Sequence, residues 1–287
     1  VNSTTCPFEF IDLAKNFETE PPELDFVLPG FLAGTVGGLM SPGGVGKSTF
    51  ALMVAIAIAC GVDTIGLGLQ RYGRVVVLAG EDPVEAIHHR MHALGAHLSL
   101  AQRGAVCEKL HITSCVGGAI DLTDERWFAQ ILEQAIDSRL LILDTLTRFH
   151  SLDENCASDA KKIMASMESI AAQTSCAILF LHHVNKSSAM SGMADLQQAA
   201  RGSSVFVDNA RWLGFVAGMT RDEAVKFGIA EDNRRRYIRW GISKQNYAPP
   251  REDSWLERRD GVLKSVTLTQ TTKQISKLDR QIRRNHD

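Results

Sequence analysis

From residue 35 onward, short apolar runs of β type alternate with longer segments whose apolar residues recur at helical spacing. Strands are expected at 36–40, 74–79, 110–113, 140–144 and 177–181, and helices at 48–59, 83–94, 124–136 and 158–174. Strands separated by helices need crossover connections, so the pattern predicts an α/β domain around a mostly parallel sheet. Ile163, Met167 and Ile170 give the last of these helices a stripe that packs on the sheet. Residues 182–204, polar and rich in small side chains, interrupt the alternation and read as a long loop of the kind that usually carries function. Beyond it, strands at 210–216 and 237–243 flank a helix at 221–227, and the sheet is expected to become mixed. Runs at 255–258 and 262–263 surround Asp260-Gly261, a pair that favours a two-residue type I′ hairpin turn.

The two ends have a different character. Residues 1–25 hold six acids against Lys15 alone and include Pro21-Pro22. They read as an arm whose Phe8, Phe10, Ile11, Leu13 and Phe17 dock on the core or on a neighbouring subunit. Residues 273–287 hold five basic residues against two acids and form a basic tail. The organisation expected is therefore an arm at 1–25, one domain at 26–265 and a tail at 266–287. No apolar run approaches the ~20 residues that span a bilayer, so no membrane association is expected.

Composition excludes a disordered chain, since 45% of the 287 residues are hydrophobic and 22% charged. The formal charge of −2 rules out a uniformly basic surface and leaves room for a local positive patch. The six cysteines are scattered, without a CxxC pair, and are expected to be reduced structural thiols. A cytoplasmic location is the corresponding expectation.

The strongest chemical signal is SPGGVGKS, residues 41–48, between a strand pattern and a helix pattern. Gly43, Gly44 and Gly46 let the backbone turn closely around anionic oxygens, and the helix start adds further N–H donors. Lys47 would reach the β- and γ-phosphates and Ser48 would ligate magnesium. The usual motif begins with Gly; Ser41 stands there, a small residue that leaves the chemistry intact. The apolar run 140–144 ends in Asp144, placed to hold the magnesium shell. Glu81 follows another apolar run and is the better candidate to activate water; its neighbour Asp82 could instead cap the helix that begins near Pro83. His182 and His183 end a further run, so that one could contact a γ-phosphate while the other packs.

The strings SPGGVGKS, LAGED, LLILDTLTRFH, ILFLHH, RGSS and DNARW, in this order, resemble the hexameric RecA-like helicases, and within them the plasmid-encoded replicative helicases of the RepA type. The resemblance runs from Leu24 to Trp255. It implies a RecA-like P-loop NTPase core with a mostly parallel sheet and additional C-terminal strands. It also implies a homohexameric ring that encircles single-stranded DNA, moves 5′ to 3′ with ATP and Mg²⁺, and serves plasmid replication beside an initiator and a primase. ATP would contact Ser41, Gly43, Gly44, Val45, Gly46, Lys47, Ser48 and Thr49. Glu81 would be the catalytic carboxylate, Asp144 the magnesium acid and His183 the nucleotide sensor. Arg211 would act in trans, with Lys244 as a second cation and Arg90 in support. Arg148, Lys186 and Arg201 would contact DNA. A RecA-like recombination or clock-type ATPase, and an ATP-gated DNA-binding assembly protein, are the alternatives.

Overall fold

The computed structural model describes residues 10–184 and 204–271. Its strands, in chain order, are β1 Phe26–Leu28, β2 Phe31–Leu32, β3 Val36–Ser41, β4 Val75–Ala79, β5 Leu110–Ser114, β6 Leu140–Asp144, β7 Ala177–His183, β8 Trp212–Gly218, β9 Tyr237–Gln245, β10 Ser254–Arg259 and β11 Val262–Val266. β1 and β2 form a small antiparallel ribbon, and the other nine form one sheet in the order β11-β10-β9-β8-β3-β7-β6-β4-β5. The six strands from β8 to β5 run parallel. β9, β10 and β11 continue the β8 side as antiparallel strands. The fold is thus α/β with a large, mostly parallel sheet and an antiparallel C-terminal extension.

Alternation along each parallel strand feeds two separate cores, as a pleat covered on both faces requires. Leu140 and Ile142 of β6 pack with helix α2, Lys47–Cys60, whereas Leu141 and Leu143 pack with α5, Glu125–Ala135, and α6, Ala157–Thr174. α2 is buried on all sides from Phe50 to Ala59, in keeping with a helix that has no charged residue after Lys47. It lies between the sheet, the outer helix α4, Leu100–Lys109, and β11. The hydrophobic pattern does not predict α4, because Val106 is its one buried residue; a capping box between Ser99 and Gln102 marks its start.

Residues 10–24 lie outside these cores. The short helix α1, Leu13–Glu18, has no buried residue, and Phe10, Ile11, Leu13 and Phe17 are all exposed. The core begins where Asp25 meets Arg139 in a two-pronged pair at 2.7 and 3.1 Å. The Arg139 hydrogen bond holds the Asp25 carboxyl below its ordinary pKa. Val27, which follows closely in β1, is fully buried.

At the other end, Asp260 and Gly261 take φ of 53° and 80°, the double positive φ that a type I′ turn demands. A Cβ on Gly261 would stand 2.9 Å from the Cβ of Ala93. Gly261→Ala therefore combines backbone strain with a clash and is expected to lower stability by about 1–2 kcal/mol. Urea unfolding checks this, and a midpoint equal to that of the unsubstituted protein contradicts it.

Candidate nucleotide-binding site

Because β3, β4, β6 and β7 are parallel neighbours, their C-terminal ends open on one edge of the sheet. Ser41 pairs in register with His183, and Ala79 with Asp144. The loops that follow bring the sequence-predicted residues around a cavity of about 300 Å³ lined by Gly44, Gly46, Lys47, Ser48, Thr49, Glu81, Asp82, Arg90, Thr145 and His183. Gly44 and Gly46 have φ of 79° and 94°, conformations open to glycine, and α2 begins directly after them.

Lys47 is 4% exposed, and its Nζ has no hydrogen-bond partner. Burial lowers its pKa to about 8 against the opposing pull of Asp144 and Glu81. Asp144 is also buried. A hydrogen bond from Ser48 reaches its carboxylate, burial raises its pKa, and Oδ1 has no partner. A buried ammonium and a buried carboxylate oxygen left unsatisfied on one pocket wall are costly by themselves. They fit a polyphosphate with a hydrated divalent cation, which supplies an anion for the first and a cation shell for the second. The residues present therefore suit ATP with Mg²⁺.

Glu81 sits opposite. Thr145 Oγ1 donates to its Oε1 at 3.2 Å, Arg148 Nε approaches Oε1 to 3.5 Å, and His183 Nε2 lies 3.9 Å from Oε2. Its carboxylate remains 39% exposed toward the pocket. Asp82 is engaged elsewhere: Arg90 grips both of its oxygens. Arg90 thus supports Asp82 and not Glu81. The helix α3, Val84–Gly95, has Pro83 at its N-cap and receives no side-chain cap, so the expected capping by Asp82 is absent.

The adjacent histidines part company across the sheet. His183 faces the phosphate loop, where a Cβ on Gly43 would come within 4.0 Å of its Nδ1. His182 is buried in the opposite core near Phe206. There, Glu154 accepts from His150 at 3.0 Å and lies 3.9 Å from His182 Nε2. Sequence reasoning missed this buried cluster; the four-residue spacing of His150 and Glu154 was its only local signal.

Arg211 and Lys244 belong to the other end of the sheet. The Arg211 backbone bonds to Val36, the first residue of β3, while the phosphate loop follows Ser41, the last. The exposed side chain of Arg211 is therefore separated from its own loop by the length of β3, roughly 16 Å. Lys244 Nζ donates to the carbonyls of Val207 and Asp208 at 2.9 and 2.8 Å. Arg148 stands beside Glu81, and Lys186 and Arg201 lie outside the described residues. A second cavity, of about 870 Å³, adjoins the loop on the β8 side and is bordered by Gly43, Val45, Met219, Arg221, Arg234 and Arg235.

A glycine-rich loop before a buried helix, an acid ending a neighbouring strand and a carboxylate one strand further define a P-loop NTPase of RecA-like architecture. The chain belongs to the AAA domain family AAA_25, whose model matches residues 4–189. Its structure is similar to the ATPase domain of a DnaB-like helicase, with a TM-score of 0.59 at 14% identity over 89% of this chain and 96% of that one. It is also similar to the RadB recombinase, with a TM-score of 0.53 at 10% identity over 84% of this chain and 92% of that one. Among the described residues, no helix is long and apolar enough to cross a membrane.

Burial lowers the pKa of His182; Glu154 opposes the shift, and Lys47, His183 and His150 add to it. The unfolded chain, with an imidazole near the ordinary 6.5, takes up this proton first as pH falls. The stability attached to a neutral His182 is complete above pH 6.5 and declines below it. The melting midpoint should fall between about pH 7.5 and 5.5, and His182→Gln should flatten that slope. Thermal scans across the range are the check; an unaltered slope in the variant refutes the assignment.

Proposed function

We propose that the protein is an ATP-driven DNA helicase that acts as a homohexameric ring on single-stranded DNA. The observation that carries the ATPase part is the pair of unsatisfied buried groups, Lys47 Nζ and Asp144 Oδ1, on one wall of the pocket. Lys47 and the N–H groups of the 43–48 turn bind the β- and γ-phosphates. Ser48 and Asp144 hold Mg²⁺, which neutralises phosphate charge when bound. Glu81 orients a water in line with the γ-phosphate and accepts its proton. His183, 3.9 Å from that carboxylate, is suited to sense loss of the γ-phosphate.

Arg211 serves the pocket of an adjoining subunit. Support comes from its exposure and from the sheet length that separates it from its own loop. A guanidinium brought by a neighbour offers rigid paired donors to the charge developing on the γ-phosphate, so hydrolysis depends on assembly. Lys244, held by two carbonyls, braces the Arg211 end of the sheet. Arg148, with Lys186 and Arg201, contacts the DNA backbone; six copies of modest charge suffice for sequence-independent grip. Translocation from 5′ to 3′, a role in plasmid replication and contacts with an initiator and a primase follow from the resemblance of the motifs. The likeness to the RadB recombinase favours one second reading, a recombination ATPase that binds DNA without separating strands.

Lys47→Ala should abolish ATP binding in nucleotide titrations; unchanged affinity overturns the site. Arg211→Ala should retain ATP binding and lose DNA-stimulated turnover by about 10³-fold, the scale of a trans-acting arginine. Turnover at the unsubstituted rate ends the finger assignment. Displacement of a labelled strand from a forked duplex separates helicase from recombinase, since the latter binds the fork without releasing the strand.

A further inference from the structure

The phosphate loop is held from outside by the C-terminal hairpin. Arg258, near the end of β10, donates from Nη2 to the carbonyl of Val45 and places Nη1 3.4 Å from the carbonyl of Arg235. A Cβ on Gly46 would meet the same Nη2 at 3.0 Å. The guanidinium is half-buried, and burial, with no carboxylate beside it, lowers its pKa. Nearby, Arg221 and Arg234 share Glu231. Arg258 instead directs its donors at backbone oxygens.

We propose that Arg258 is a positioning residue for the nucleotide site: it fixes the Val45–Gly46 peptide so that the Gly46 N–H is aimed into the phosphate cradle. This inference rests on the reading of residues 41–48 as a nucleotide site. A trans peptide is planar and points its N–H opposite to its C=O. Drawing the Val45 carbonyl toward the hairpin therefore turns the Gly46 N–H away from it. The linings agree, because Val45 borders the larger cavity on the arginine side while Gly46 lines the phosphate pocket. With Gly43, Gly44 and Gly46 in the turn, the backbone alone does not select this orientation. A rotated peptide would present a carbonyl oxygen to the phosphate and repel it. A charge-assisted hydrogen bond from Arg258 removes that alternative and ties phosphate affinity to the hairpin.

The test uses the full chain, with R258M to keep the unbranched stem without donors and R258K to restore a charged donor. R258M is expected to weaken ATP and ADP binding about tenfold, the loss of one charge-assisted bond. R258K should recover most of it. In ¹⁵N-glycine-labelled protein, the Gly46 amide resonance should move on ATP addition in the unsubstituted chain and in R258K but not in R258M. Unsubstituted affinity in R258M, or R258K binding no better than R258M, overturns the inference. Should R258M fail to fold, R258K decides: a Gly46 resonance that ignores ATP is the overturning result. An unsubstituted chain that binds no ATP defeats the nucleotide-site reading itself. Binding lost in K47A and kept in R258M defeats only the role of Arg258.

Discussion

A lysine ammonium buried with no protein partner is the constraint around which the nucleotide edge is organised. Lys47 cannot be moved into water, because it opens a helix whose every residue from Phe50 to Ala59 is packed. Desolvation disfavours its charge, while Asp144 and Glu81 favour it. The pocket walls thus hold a cation and two acids in partial compensation, and a site of that kind gains from a ligand that brings anionic oxygens together with a metal ion. The same burial that makes the group expensive makes its interaction with phosphate strong, since little water competes for it.

The parallel and antiparallel halves of the sheet divide the work. Parallel pairing of β3, β7, β6 and β4 can deliver four loops to one edge, which no antiparallel arrangement does, because neighbouring strand ends would alternate between edges. The antiparallel strands β9 to β11 send hairpins back toward that same edge, so that Arg258 returns to the outer side of the phosphate loop. The Asp260-Gly261 turn thereby lies close to the chemistry, although it is distant from residues 41–48 along the chain.

Much of this was legible from local patterns. The apolar runs ending in Asp144 and His183 are buried on both faces, and such strands announce themselves as continuous hydrophobic stretches. The helix 221–227 and the I′ turn were legible for another reason: their signals, caps and left-handed residues, are satisfied by neighbours in sequence. The illegible features all depend on contacts between distant segments. Insertion of β7 between β3 and β6 is a matter of strand order, which no window of sequence encodes. The partition of Asp82 to Arg90 and of Glu81 to Thr145 and Arg148 depends on how two adjacent carboxylates turn after β4. Arg258 reaching Val45 joins residues more than two hundred positions apart.

The two histidines that end β7 illustrate how local pattern and tertiary context combine. Strand geometry alone requires neighbouring side chains to face opposite ways. His183 must then share the face of the phosphate loop if His182 shares that of α6, and the difference in burial follows. That single strand end consequently touches both cores: one histidine stands 3.9 Å from Glu81, while the other stands equally far from Glu154, which also binds His150. His150 follows the Asp144 strand by six residues, and Phe206, beside His182, opens the chain after residues 185–203. A displacement at the Glu81 side is therefore transmitted along one rigid strand to the segments that follow both β6 and β7. The connection is mechanical, made by backbone pairing within the sheet, and it needs no continuous path of polar side chains across the core.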